Sequence, residues 1–79
     1  MKQEDIFDII VRHTCEVIPA LQDHKFQEDD SLKDLGANSV DRSEIVMMTL
    51  ESLSLNIPLI LIARAQNIGE LVSIIHAKL

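Results

Sequence analysis

The stretch best equipped for chemistry is Leu35-Gly36-Ala37-Asn38-Ser39-Val40-Asp41-Arg42. A glycine turn runs into one serine, and an acidic, partly apolar helix starts there. Ser39 has no evident base beside it and no Gly-x-Ser-x-Gly elbow around it, which argues against acyl-enzyme chemistry. The sequence holds no phosphate-binding glycine loop and no cluster with metal-ligand spacing. A serine at a helix start suits two jobs. It can cap the helix. It can also carry a phosphate, because the free N–H groups and positive end of a helix stabilise an anion.

The rest of the chain must position that serine. With 79 residues there is room for one domain and a modest core, too little for a substrate cavity with its supporting shell. Aromatics make up only 3% of the chain, without Tyr or Trp, which disfavours a sheet built on aromatic cross-strand pairs. The net charge of −6 repels a phosphate backbone and argues against nucleic acid. It suits a partner with a basic patch. Cys15 is the single cysteine, so no internal disulfide forms, as in a reducing compartment. It reads as an ordinary helix residue, with nothing nearby to activate it. The N-terminus lacks a signal pattern. The longest apolar run, Ile57 to Ala63, is interrupted by Pro58 and is far short of the roughly 18 residues of a span. A soluble, cytoplasmic monomer is expected. With no linker at either end, it should be a free-standing domain over 1–79.

Four helical segments are legible, and no segment shows the alternation of a strand. The first runs from Gln3 to about Ile18, with Ile6, Ile10 and Val17 on the apolar stripe. Asp8, Arg12 and Glu16 lie on the opposite face, and Pro19 stops it. His13 sits in the stripe and reads as a packed residue at the core edge. His24 and His76 lack the spaced partners of a zinc site. Residues 22–36 form a long acidic connection, pinned by Phe26, Leu32 and Leu35. Ser31 to Leu35 form one helical turn, closed by Gly36, where positive φ is cheap.

The second main helix starts at Asn38 or Ser39, either of which is a good cap, and runs to about Leu53. Asp41 in its first turn suits the dipole. Two of its sides are apolar: Ile45, Thr49 and Leu53 on one, Val40 and Met47 on the other beside Glu44 and Glu51. One side belongs to the core. The other is either a docking surface or covered by the long connection. A short helix over Leu59 to Ala65 follows Pro58. The last helix is capped by Asn67 with Glu70 three residues on, and its apolar residues are Ile68, Leu71, Val72, Ile75 and Leu79. The expected fold is all-α: three main helices, one short helix and a long first loop.

Leu35-Gly36-Ala37-Asn38-Ser39-Val40 resembles the modification motif of the acyl carrier proteins, Leu-Gly-x-Asp-Ser-Leu. The likeness extends to Asp41, Glu44 and Met47 on the second helix and to Ile57-Pro58 at the end of the following loop. It extends also to Asn67-Ile68-Gly69-Glu70-Leu71-Val72, which is similar to the usual Thr-Val-Gly-Asp-Leu opening of the last helix.

The resemblance implies a non-catalytic carrier, with a 4′-phosphopantetheine arm placed on Ser39 by a phosphopantetheinyl transferase using coenzyme A. The serine oxygen attacks the β-phosphate and a phosphodiester remains. The arm's thiol then holds acyl groups as thioesters. Asp41, Glu44 and Glu51 would face basic residues on partner enzymes, with Val40 and Met47 adding apolar contact and Asn38 also at the partner-binding surface. Asn38 stands where most carriers have Asp, so one charge beside the serine is missing. Asn-Ser-Val-Asp-Arg looks more like the discrete carriers of polyketide pathways, some of which donate acetyl or malonyl units to a 3-hydroxy-3-methylglutaryl-type synthase. Implied partners are that synthase, acyltransferases and ketosynthases. A fatty-acid carrier is the alternative within the family, and an unmodified helical interaction domain is the alternative outside it. Leu59-Ile60-Leu61-Ile62 is more apolar than the family norm; Leu61 there either lines an acyl-binding cleft, joins a partner surface or, the simplest account, packs in the core.

Overall fold

The computed structural model describes residues 1–79. It contains α1 (Gln3–Val17), a 3-10 turn (Pro19–Leu21), α2 (Ser39–Ser52), α3 (Leu59–Ile62) and α4 (Ile68–His76). α1 packs on both α2 and α4, and α3 packs on α4. The expected all-α bundle with a long first loop is what forms. No helix is long and apolar enough to cross a membrane.

The core is one aliphatic cluster. Ile6 and Ile10 of α1, Ile45 of α2, and Ile68 and Ile75 of α4 are fully shielded from solvent. The two buried threonines are satisfied within their own helices. Thr14 Oγ1 donates to the Ile10 carbonyl at 2.7 Å, and Thr49 Oγ1 donates to the Ile45 carbonyl at 2.8 Å. His13 is buried between helices, as its place in the stripe predicts. Its Nε2 lies 2.8 Å from Ser52 Oγ, tying α1 to the end of α2.

The long loop is held by more than its apolar pins. Leu32 is buried, and Phe26 and Leu35 are half-buried. The carbonyls of Glu28 and Asp30 also accept hydrogen bonds from the first N–H groups of α4: Gly69 to Glu28 at 2.8 Å and Ile68 to Asp30 at 2.9 Å. Those N–H groups have no partner inside their helix, so the loop supplies one. The approach is close. A Cβ at position 69 would lie 3.1 Å from the Glu28 carbonyl oxygen, which explains a glycine in a helix.

Asp30 also organises the loop itself. Its Oδ2 accepts from the Gln27 N–H at 2.7 Å and lies 3.0 Å from His24 Nε2. The His24 ring stands edge-on to Phe26, with centroids 4.8 Å apart. The Gln27 N–H and then the His24 contact hold the Asp30 carboxyl below its ordinary value of 3.8. A depressed carboxyl stabilises the fold above its unfolded value, and that stabilisation is lost as pH falls through the lowered folded value. Thermal melts in mildly acid buffers should therefore show the wild type losing its advantage over Asp30→Asn once pH drops below about 3.8. A pH-independent gap between the two proteins would refute the role of this carboxylate.

Four helix ends differ from expectation. α3 ends at Ile62 instead of Ala65. Arg64 and Ala65 donate to the carbonyls three residues back, which tightens the chain before Asn67 extends (φ −150°) to cap α4. α4 ends at His76, and Lys78 and Leu79 again bond three residues back. The change from 3.6 to about 3 residues per turn rotates Leu79 out of the stripe, and it is exposed. The α4 cap is also split. Asn67 Oδ1 accepts from the Glu70 N–H at 2.8 Å, but Glu70 Oε1 accepts from Gln66 rather than Asn67. α1 and α2 each end one residue before the expected position.

Candidate functional site

Two local devices build the entrance to α2. The loop closes in a Schellman motif: Ala37 N–H donates to the Leu32 carbonyl at 3.0 Å, and Gly36 N–H donates to the Lys33 carbonyl at 3.1 Å. Gly36 takes φ +106° there, a conformation costly for residues with a Cβ. Asn38 then caps the helix. Its Oδ1 accepts from the Asp41 N–H at 2.8 Å, and the Asp41 carboxylate accepts the Asn38 N–H at 3.2 Å. This is a reciprocal capping box.

That choice of cap frees the serine. Ser39 is the first residue within α2 and is exposed. Its hydroxyl is not spent on capping, because Asn38 does that work. The free N–H groups of the first turn leave positive potential around it. Arg42 is half-buried and bends back, with Nη1 donating to the Ala37 carbonyl at 2.7 Å.

The two apolar sides of α2 have different fates. Ile45, Val46, Thr49 and Leu50 are buried. Val40 is 71% exposed and Met47 59% exposed, and Glu44 and Glu51 are exposed with them. Positions 40, 44, 47 and 51 follow helical spacing and form one row along the outer face. The long loop does not cover this face. The expected partner-binding residues therefore divide. Val40, Glu44, Met47 and Glu51 are free on the surface, whereas Asn38 and Asp41 are engaged with each other at the cap.

A cleft of about 410 Å³ opens beside Ser39, between the 31–33 turn, α2 and the α3–α4 region. Leu32, Val46, Leu59 and Ile62 give it apolar walls, and Lys33 and Arg42 also line it. Leu61 does not line it and is half-buried against the core, so of its three expected places packing is the one taken. Sequence reasoning missed the inward bend of Arg42 and the attachment of the loop to α4. Nothing local signals the first. The glycine at position 69, inside a helix, is the one sign of the second.

Comparison with known proteins agrees with this geometry. Residues 8–75 match the phosphopantetheine attachment site family. The chain is 46% identical over 78 residues to the polyketide biosynthesis acyl-carrier-protein AcpK of Bacillus subtilis (strain 168), covering 99% of this chain and 95% of that protein. It also superposes, with a TM-score of 0.94 and 50% identity, on the acetyl donor carrier protein crystallised with the HMG synthase of the curacin biosynthetic pathway. That match covers 99% of this chain and 100% of the other. These relatives are carriers rather than catalysts. The exposed serine at the mouth of α2 and the match across nearly the whole fold lead to one conclusion: the chain belongs to the acyl carrier proteins, the family that bears 4′-phosphopantetheine on a serine.

Proposed function

We propose that Ser39 is the attachment point of the 4′-phosphopantetheine arm and that residues 1–79 form one monomeric, cytoplasmic carrier domain serving polyketide biosynthesis. The observation that carries this reading is the exposed Ser39 hydroxyl, left free because Asn38 holds the cap. The residues fit the group: an open helix mouth, flanking cations and an adjoining cleft. When bound, the arm supplies a thiol that holds an acyl unit as a thioester. The chain's own contribution is to hold Ser39 outward and to present the cargo.

Acetyl is the cargo we favour, because the structurally similar carrier is an acetyl donor to an HMG synthase. The chain is then a substrate of its partners: a phosphopantetheinyl transferase first, then an acyltransferase or ketosynthase and a synthase of the 3-hydroxy-3-methylglutaryl type. The outer row of α2 suits them. Glu44 and Glu51 steer a basic patch, and Val40 and Met47 provide apolar contact. Charges at the edge of an interface set association rate more than final affinity, which suits a carrier that must leave each partner.

The test is intact mass. Incubation with coenzyme A, magnesium and a promiscuous phosphopantetheinyl transferase should add one phosphopantetheine. A wild-type protein whose mass stays unchanged rejects the assignment. Docking is tested separately. Glu44→Lys in the modified protein should slow acetyl transfer to a basic synthase by about tenfold at low salt, with the deficit shrinking as salt rises. A rate indifferent to that reversal would remove Glu44 from the docking surface.

A further inference from the structure

We propose that Arg42 and Lys33 form a cationic clamp at the mouth of the cleft, holding the phosphodiester of the arm against the protein. The proposal rests on the reading that Ser39 carries the arm.

Spacing places the first partner. Arg42 follows Ser39 by three residues on α2, so the two share a face with Cβ atoms about 5–6 Å apart. The side chain then turns back. Nη1 reaches the carbonyl of Ala37, two residues ahead of Ser39. The guanidinium therefore lies at the helix mouth, on the side where the serine emerges. One of its five N–H donors is spent on Ala37, and four remain in a planar fork suited to phosphate oxygens.

Charge supports the same conclusion. The chain has 13 acidic residues and a net charge of −6, yet Arg42 pairs with none of them. The contacts of basic side chains with carboxylates are Arg12 with Glu16, His13 with Glu16, and His24 with Asp30. Arg42 instead holds a backbone carbonyl in a half-buried place. Lys33 lines the same cleft from the turn before Gly36, and it too has no acidic partner. The cleft thus has two unneutralised cations at its rim, beside the one hydroxyl that is to gain an anion.

The consequence is orientation. A phosphodiester between the two cations keeps the root of the arm over the apolar walls of Leu59 and Ile62. Charge-assisted hydrogen bonds are strong enough to bias the arm without trapping it. A partner's basic patch competes for the same oxygens and draws the arm out.

The experiment uses the modified protein, its single phosphopantetheine verified by mass. Relaxation of the ³¹P signal reports the mobility of the phosphodiester, and the Arg42 Nε–H signal reports its neighbour. The wild type at low salt should show a phosphodiester tumbling with the protein and an Arg42 signal shifted relative to the unmodified form. Arg42→Gln and Lys33→Gln together should lower the ratio of held to free arm about tenfold. Arg42→Lys should restore part of it, and high salt should mimic the double variant. Lys33 is exposed, so Lys33→Gln alone should fold, and it should by itself loosen the arm. A mobile phosphodiester in the wild type, or one held as firmly as the wild type's in Lys33→Gln or in the double variant, overturns the clamp while leaving Ser39 as the attachment point. Absence of the added mass overturns both.

Discussion

Ser39→Ala is expected to stay at its unmodified mass under conditions that convert the wild type completely, while folding as well as the wild type. The first half follows from chemistry, since alanine has no oxygen to attack the β-phosphate, and the next hydroxyl along the helix, Ser43, lies one turn further on. The second half follows from the cap. A serine serving as N-cap costs roughly 0.5–2 kcal/mol when replaced by alanine. Here the cap is Asn38, and Ser39 is already inside the helix, where alanine is the better helix former. The variant should therefore melt within about 0.5 kcal/mol of the parent, as surface changes do. Asn38→Ala should show the reverse, losing about 1 kcal/mol while still accepting the arm. Mass spectrometry and thermal melts on the two variants decide the matter. A Ser39→Ala protein that gains the mass rejects the site, and one that loses the cap energy rejects the structure of the helix mouth.

The second large effect is in the core. Ile45→Ala should destabilise the protein by about 2–5 kcal/mol, the range for removing a buried aliphatic side chain and leaving a cavity. Ile45 is fully buried on the face of α2 opposite the exposed row, where α1 packs. At roughly 0.05–0.15 kcal/mol per residue, a chain of this length holds on the order of 4–12 kcal/mol in total. One substitution thus removes a large share of it, lowering the midpoint by about 10 °C or more. Met47→Ala, on the outer row of the same helix, should change stability by less than about 0.5 kcal/mol. Urea titrations of both variants test this. Equal losses would mean that Met47 is as buried as Ile45, and a larger loss for Met47→Ala would mean that the two faces of α2 have been assigned the wrong way round.

The contrast between Ile45 and Met47 marks how far the sequence could be read. Its pattern shows that α2 has two apolar sides, and it cannot rank them. Ranking requires knowing what lies across from each side. The 22–36 loop might have covered Val40 and Met47. It is instead drawn away to the start of α4, where Glu28 and Asp30 offer their carbonyls to Gly69 and Ile68. The same limit applies at the serine. Asn38 and Ser39 are equally good caps by residue type, and only the backbone leaving the Gly36 turn selects Asn38.

What the sequence determined by itself is everything that closes within a few residues. The glycine turn at 36, the cap at 67, the stop at Pro19 and the apolar spacing of α1 and α4 all depend on local sterics and hydrogen bonds. The serine motif was legible for the same reason. Tertiary structure decided which side of α2 faces solvent and that the 22–36 loop is tied to the start of α4. Those outcomes depend on contacts between segments far apart in the chain. Burial and free backbone groups choose among arrangements that the local pattern leaves equivalent.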